Sequence, residues 1–454
     1  MFMGSPLHFA RHDVTDPLFY VDEYGADCHG GTLRVCFGED SAIAGMTSDA
    51  QICDYRRQIY TFTMPSFSKL RLMPKLAPGV LPPEVISRIM MYYMDTAPWK
   101  TTNAINSAEE RVLIIRTTIY LQRLRLVAWV WAQVIPYFLF DAVRLQTHGM
   151  AHRLLERWQG SILSSQHSPL RCLSMEHLWG YTPAEPEIHI PDSVMKQCAM
   201  SIPMYTGAKV IHTFGINITS LTLVFGNCMM VSPDMIEAVK YIKCLGKLTL
   251  IRRYDWPRRL STDSESIAQL LCVTPTLESL SVSLPYLDPH FLHNGSLPCL
   301  RHFWFKYYES SRQALSQITR ATTRTLNTIE YNSVDPANDR PAGILWESQF
   351  NLECLCIDNI PTNLPPATSF SIFPKLRCLR TTTWPSTDFH LGWLQRGFFR
   401  SLRTLVTKYT DGQVYWRHAL CLLPDGHFQK PVHFKHIVFT NVRGASLVDD
   451  EAQV

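Results

Sequence analysis

Charge is scarce in this sequence. Asp, Glu, Lys and Arg make up 18% of its 454 residues, and the formal net charge is +4. A balance so close to neutral lacks the strong basic field that nucleic acid or an anionic membrane surface requires, so neither is expected as a partner. Common catalytic motifs are also missing. There is no G-x-S-x-G elbow, no phosphate loop and no G-x-G-x-x-G turn, so no enzyme activity is expected. The thirteen cysteines, scattered from Cys28 to Cys421, contain no C-x-x-C pair, and the nearest two are Cys354 and Cys356. An odd number of unclustered cysteines reads as reduced, mostly buried thiols in a cytoplasmic or nuclear protein. No basic segment leading into an apolar core opens the chain, so no signal peptide is expected and the sequons at Asn217 and Asn294 carry little weight.

Long apolar runs are scarce too. Leu126 to Val143 resembles a membrane span in composition. It carries Gln133, Pro136 and Asp141, however, and lies between Arg125 and Arg144. A span needs about 20 predominantly apolar residues, so this stretch reads instead as a buried helix followed by a strand. His148 and His152 have helical ligand spacing but lack the glutamate of a zinc protease motif. No metal site and no cofactor is therefore expected.

What is present is ample core, with 46% of the residues apolar, and a length of 454 residues that can hold two or three domains. Residues 1–75 show no sustained periodicity and read as a leader of short strands or an unstructured arm. Leu81-Pro82-Pro83-Glu84 then marks a helix start. Pro83 suits the first helical position, Glu84 complements the helix dipole, and Leu81 is placed to pack over Ile86 as a staple. Val85, Ile86, Ile89, Met90 and Tyr93 follow as an apolar stripe. Residues 95–110 are polar and read as an inserted loop. Leu121, Leu124 and Val127 share one helical face, whereas Leu126, Trp129 and Val130 make another. A helix apolar on two sides needs two surfaces to bury against.

Behind this stretch the chain repeats an L-x-x-L-x-L pattern. Copies occur at Leu245/Leu248/Leu250, Leu277/Leu280/Val282, Leu300/Phe303/Phe305, Leu326/Ile329/Tyr331, Leu352/Leu355/Ile357, Leu376/Leu379/Thr381 and Leu402/Leu405/Thr407. Phe434/Ile437/Phe439 closes the series. Ile218/Leu221/Leu223, Leu170/Leu173/Met175 and Phe140/Val143/Leu145 extend it backward. The step from Leu170 to Ile218 is double length, so a repeat there is degenerate or holds an insertion around Pro183–Pro191. Helical segments intervene at 235–242, 264–271 and 312–318, the first behind a Ser232-Pro233-Asp234 start. Each unit is thus a short strand, a turn and a helix, with an apolar face it can bury only by stacking on its neighbours. The expected fold is α/β: an irregular leucine-rich-repeat solenoid, or horseshoe, over 140–442, preceded by a small all-α domain at 76–139 and followed by a tail at 443–454. The turns are expected to be uneven, because Gly226, Pro285, Tyr308 and Ile360 stand where Asn or Cys is usual.

The Leu81-Pro82-Pro83-Glu84-Val85-Ile86 segment, followed by Leu124-Arg125-Leu126-Val127-Ala128-Trp129-Val130-Trp131 and Pro136-Tyr137-Phe138-Leu139-Phe140, resembles an F-box of the kind fungi place ahead of leucine-rich repeats. Ala128 stands where Cys is usual, and the 95–110 insertion lengthens the link. The resemblance implies a non-enzymatic substrate receptor of a Skp–cullin–F-box ubiquitin ligase. Its F-box would dock a Skp-family adaptor, and through it cullin, while the repeats hold an unknown target protein. Carried to matching positions, it implies Leu81, Pro82, Ile86, Leu126, Val127 and Trp131 as adaptor contacts. Target contacts are sought in the basic, aromatic loop with Arg252, Arg253, Arg258 and Arg259, and in Tyr307, Tyr308 and Trp384, which follow strands. The competing expectation is a repeat scaffold whose F-box-like helices only cap the first repeat.

Overall fold

A computed structural model describes residues 31–36, 81–96, 99–101, 111–113, 115–159, 168–180, 201–226, 231–252, 261–285, 287, 292, 295–333, 342–357, 373–381, 401–408 and 433–442. The fold is mixed α/β, built on one large open sheet. Its strands are β4 (Ala142–Leu145), β5 (Cys172–Trp179), β7 (Ser220–Phe225), β8 (Lys247–Arg252), β9 (Ser279–Ser283), β10 (His302–Tyr307), β11 (Thr328–Ser333), β12 (Cys354–Ile357), β13 (Cys378–Thr381), β14 (Thr404–Lys408) and β15 (His436–Val442). These lie side by side in chain order, each parallel to the next. Two-residue β6 (Ile202–Pro203) pairs off the path with β5.

The register follows the apolar triplets. Leu173, Leu221, Leu248, Leu280, Phe303, Ile329, Leu355, Leu379, Leu405 and Ile437 are successive Cα partners, so the fourth position of every copy stands beside the next. A one-residue slip in any strand would turn its apolar side chains to the opposite face. Phe305 and Tyr331 stack within the next row, their ring centroids 5.6 Å apart. The backbone repeats as well. The Asp141 carbonyl accepts the N–H groups of Arg171 and Cys172, and the Arg171 carbonyl accepts those of Thr219 and Ser220. The same double acceptance passes through Thr219, Gly246, Glu278, Arg301, Asn327, Glu353 and Arg377 to Arg403, which takes Lys435 and His436. The turn entering each strand is thereby hydrogen-bonded to the unit before it.

Helices α4 (His148–Gln159), α5 (Met204–Phe214), α6 (Pro233–Lys240), α7 (Ser261–Cys272), α8 (Arg312–Ala321) and α9 (Ala342–Ser348) connect strands, and their apolar sides join the triplets in one continuous core. The α6 start is as the sequence implied: Pro233 opens the helix and the Ser232 hydroxyl accepts the Met235 N–H at 3.3 Å. At Gly207, on α5, a Cβ atom would lie 2.8 Å from Met235 Cε of α6, so a larger residue there would push the end of that methionine side chain aside. Across the double-length step β5 and β7 are direct neighbours in the sheet, and Pro183–Pro191 lies outside the described residues.

The helical unit differs from expectation in two respects. Helix α1 (Pro83–Thr96) starts at Pro83 as anticipated. The 95–110 segment, however, is not all loop: β2 (Trp99–Thr101) pairs antiparallel with β3 (Arg111–Leu113), and residues 102–110 lie outside the described residues. The single two-sided helix is in fact two helices, α2 (Ile115–Leu124) and α3 (Trp129–Leu139). Tight turns from Leu126 N–H to the Arg123 carbonyl and from Val127 N–H to the Leu124 carbonyl end α2, and extended Ala128 begins α3. Strand β4 follows α3 directly, in line with the helix-then-strand reading of this stretch. Ile86, Met90, Met94, Leu121, Val130, Val134 and Ile135 form a second core, separate from that of the sheet. From the leader, β1 (Gly31–Cys36) pairs antiparallel with β15, at the opposite edge of the sheet from β4. Among the described residues, no helix is long and apolar enough to cross a membrane.

Candidate functional site: an exposed helical face and the polar face of the sheet

Helix α1 carries two apolar stripes. Ile86, Met90 and Met94 point into the helical core, while Val85, Ile89 and Tyr92 are exposed. The sequence reading merged them, because the two stripes lie only about 100° apart on a helix of 3.6 residues per turn. The second stripe was the missed signal. Helix α2 adds exposed Ile119 and Tyr120, and Tyr120 lies 5.5 Å from Tyr93 of α1. The turn into α3 adds Leu126 (85% exposed), Val127 (65%) and Trp129 (60%). With Leu81, nine of the thirteen large apolar side chains exposed among the described residues fall between Leu81 and Trp129. Arg88, Arg123 and Arg125 are exposed in the same stretch.

Of the six adaptor positions, Leu81, Pro82, Leu126 and Val127 are on the surface. Ile86 is fully buried and fills the helical core, so it cannot itself touch a partner. Trp131 is half-buried against that same core.

On the sheet, the residues alternating with the triplets make a polar face. One row runs Ser174, Thr222, Thr249, Ser281, Trp304, Glu330, Cys356 and Arg380 across successive strands; Ser174, Thr222, Ser281, Trp304 and Glu330 are buried and the other three are half-buried. At the β4 edge, Arg144 donates from Nε to Glu176 Oε1 at 2.6 Å, and Gln146 donates to Oε2 at 3.4 Å. Near the middle, Ser279 Oγ lies 2.6 Å from His302 Nδ1, and His302 Nε2 lies 3.3 Å from Glu330 Oε1. Serine, imidazole and carboxylate thus meet in sequence, as in a hydrolytic relay. Their backbone N–H groups are held in the parallel ladders on both sides, which leaves none of them to stabilise an oxyanion. Ser279 and His302 tie two neighbouring strands, and His302 Nε2 approaches Glu330 Oε1 without hydrogen-bond geometry.

Beyond it, the Cys354 and Cys356 sulfurs lie 3.9 Å apart, and Cys378 is the register partner of Cys354. All three thiols are pushed up: Cys354 mainly by its neighbour Cys356, Cys378 mainly by Cys354, and Cys356 by burial, against the lowering effect of its bond to Cys354. They stay protonated and poorly nucleophilic. Among the described residues, no group of three or more His, Cys, Asp or Glu is placed to hold a metal ion. His148 instead meets Thr206 Oγ1 at 3.4 Å, and His152 meets Glu156 at 3.3 Å.

The proposed target contacts separate. Arg252 is buried and in register with core residue Phe225, so it is not an exposed reader. Tyr307 is buried in the row of Phe303 and Phe305, and its hydroxyl donates to Glu309 Oε2 at 2.5 Å. Its spacing from the triplet, two residues past Phe305, could have shown this. Tyr308 is half-buried, with the Lys306 ammonium 5.5 Å from its ring centre. Arg253, Arg258, Arg259 and Trp384 lie outside the described residues.

No protein-family model matches this chain, and none of the curated proteins matches it.

Proposed function

We propose that this chain is a non-enzymatic substrate receptor of a Skp–cullin–F-box ubiquitin ligase. In this reading α1–α3 form the F-box, the strand-and-helix units form a leucine-rich-repeat solenoid, and those units hold the target. The observation that supports it most is the concentration of exposed apolar side chains between Leu81 and Trp129. A helical unit with its own core has no internal use for a second apolar surface, and water around it is released only when a partner covers it. The arginines around that surface favour an acidic partner. The in-register triplets support the solenoid half of the reading. The separate helical core favours an independent module over a simple cap on the first repeat. A cytoplasmic or nuclear setting belongs to this proposal, since the ligase works there.

Co-purification of the full chain with a Skp-family adaptor tests it. Wild type is expected to bring the adaptor down, and a Leu81→Ala/Pro82→Ala/Leu126→Ala/Val127→Ala variant is expected not to. An adaptor that ignores the folded wild-type chain refutes the proposal. A deletion of residues 76–139 that unfolds the rest, with no adaptor bound by wild type, favours the cap.

A further inference from the structure

The units of the sheet are internal controls for one another. Equivalent outward faces of the connecting helices carry polar or charged side chains: Glu156 and Arg157 on α4, Glu237 on α6, Glu265 and Gln269 on α7, Arg312 and Arg320 on α8. Helix α5 is the exception. Its exposed positions are Tyr205, Lys209, His212 and Thr213, and Ile216 is exposed two residues past its end; Tyr205, Lys209, His212 and Ile216 follow one another at spacings of four, three and four residues. Tyr205 is 64% and Ile216 46% exposed. Tyr241, just past α6, is 61% exposed and lies edge-on to His212 with ring centroids 5.0 Å apart. Outside the helical unit, these three account for all but Phe350 of the exposed large apolar side chains among the described residues.

Folding does not require this. A buried helix needs apolar residues on its inward face, and α5 already has Met204, Ala208, Val210, Ile211 and Phe214 there. The surroundings are basic. Lys209, Lys240, Lys243 and Lys247 are exposed, against Asp234 and Glu237, and Glu237 is paired with Lys240 at 3.4 Å. From Tyr205 to Ile216, along α5 and the 3-10 turn Gly215–Asn217 that follows it, the rise is about 16 Å, the length of about three turns of a partner helix.

We infer that the outward face of α5, together with Tyr241, docks an acidic amphipathic helix of a partner protein. Its apolar stripe covers Tyr205, Ile216 and Tyr241, and its carboxylates face Lys209 and Lys243. This surface lies on the helix-covered side of the sheet, opposite the polar face. The chain can therefore hold a second protein while a target occupies the other side, whether or not it binds a Skp-type adaptor.

The test uses the full chain and two fluorescein-labelled 14-residue amphipathic helical peptides with identical Leu/Phe stripes, one flanked by Glu and the other by Lys. Fluorescence anisotropy at low salt is expected to show the Glu peptide binding at least tenfold tighter, with affinity falling as salt rises. Tyr205→Ala/Tyr241→Ala is expected to weaken it at least tenfold, and Lys209→Glu/Lys243→Glu to reverse the preference. Both variants change only exposed residues, so thermal melts verify that they stay folded. A control Glu265→Ala/Gln269→Ala variant on α7 should bind as wild type. Several outcomes overturn the inference: neither peptide binds, the tyrosine variant binds as wild type, or the charge preference fails to reverse. A loss seen only with Leu126→Ala/Val127→Ala places the peptide on the helical unit and overturns it as well. Light scattering that shows self-association abolished by Tyr205→Ala makes a second copy the occupant, and the inference fails.

Discussion

Leu126 and Val127 sit in the turn between α2 and α3 with most of their surface in water. Truncating both to alanine removes side-chain atoms that touch little within the chain. Stability should therefore change by no more than about 0.5 kcal/mol. In a complex the same atoms would be buried, and full burial of a Leu or Val side chain contributes about 1.5–3 kcal/mol. Some of each side chain survives as alanine, so the pair should lose roughly 3 kcal/mol of binding, a drop of about a hundredfold in affinity. Isothermal titration of a purified Skp-family adaptor into the full chain measures this, and urea unfolding of the same samples measures stability. Ile86→Ala supplies the contrast. Ile86 is fully buried in the helical core, so its truncation should destabilise by about 2–5 kcal/mol and affect docking only through the fold. If Leu126→Ala/Val127→Ala unfolds as readily as Ile86→Ala, the two residues are core and the reasoning fails. If it stays folded and binds the adaptor like wild type, the docking face lies elsewhere.

Leu280, fully buried in the triplet row, is expected to destabilise the sheet by about 2–5 kcal/mol on truncation to alanine, read from the urea midpoint. Asp141 is pushed up to about 6, chiefly by burial, with Arg171 3.8 Å away opposing the shift. A carboxyl with a raised folded-state pKa stabilises the protein when protonated, and that stability is lost as pH rises through about 6. Its side chain is still 40% exposed, so solvent screening limits the effect to about 1 kcal/mol. Asp141→Asn should accordingly be the more stable protein at pH 7, and the difference should vanish toward pH 4 in paired thermal melts. Iodoacetamide at pH 7 is expected to modify exposed Cys244, Cys272 and Cys299 before Cys354, Cys356 and Cys378, because only thiolate reacts and the latter three hold their protons. Peptide mapping by mass spectrometry gives the order.

Much of the architecture was legible because its signals are local and repeated. Leu248/Leu250 and Leu280/Val282 alternate as strands do, and Ser232-Pro233-Asp234 starts a helix by its own backbone chemistry. Stacking such units side by side follows from the apolar face that each leaves over. The Leu170–Ile218 step was ambiguous because spacing alone does not show which strands become neighbours; the structure pairs β5 directly with β7. The break between α2 and α3 was missed because apolar residues run through it without Gly or Pro, and only the turn at Arg125–Val127 separates the two faces.

The site residues divide along the same line. Residue order by itself determined that 81–131 holds more apolar side chain than one helical core can use, and that a strand repeats behind it every 23 to 32 residues, apart from the double-length step from Leu170 to Ile218. Only the tertiary structure decided which of those side chains turn outward. Val85 and Ile86 are adjacent and both apolar, yet one is exposed and the other fully buried, because helix rotation is set by what α1 packs against. Tyr307 and Tyr308 part in the same way, one into the core row and one beside Lys306. Composition and period determine that a surface must be buried. Three-dimensional packing determines which surface is left over, and that remainder is where a partner can bind.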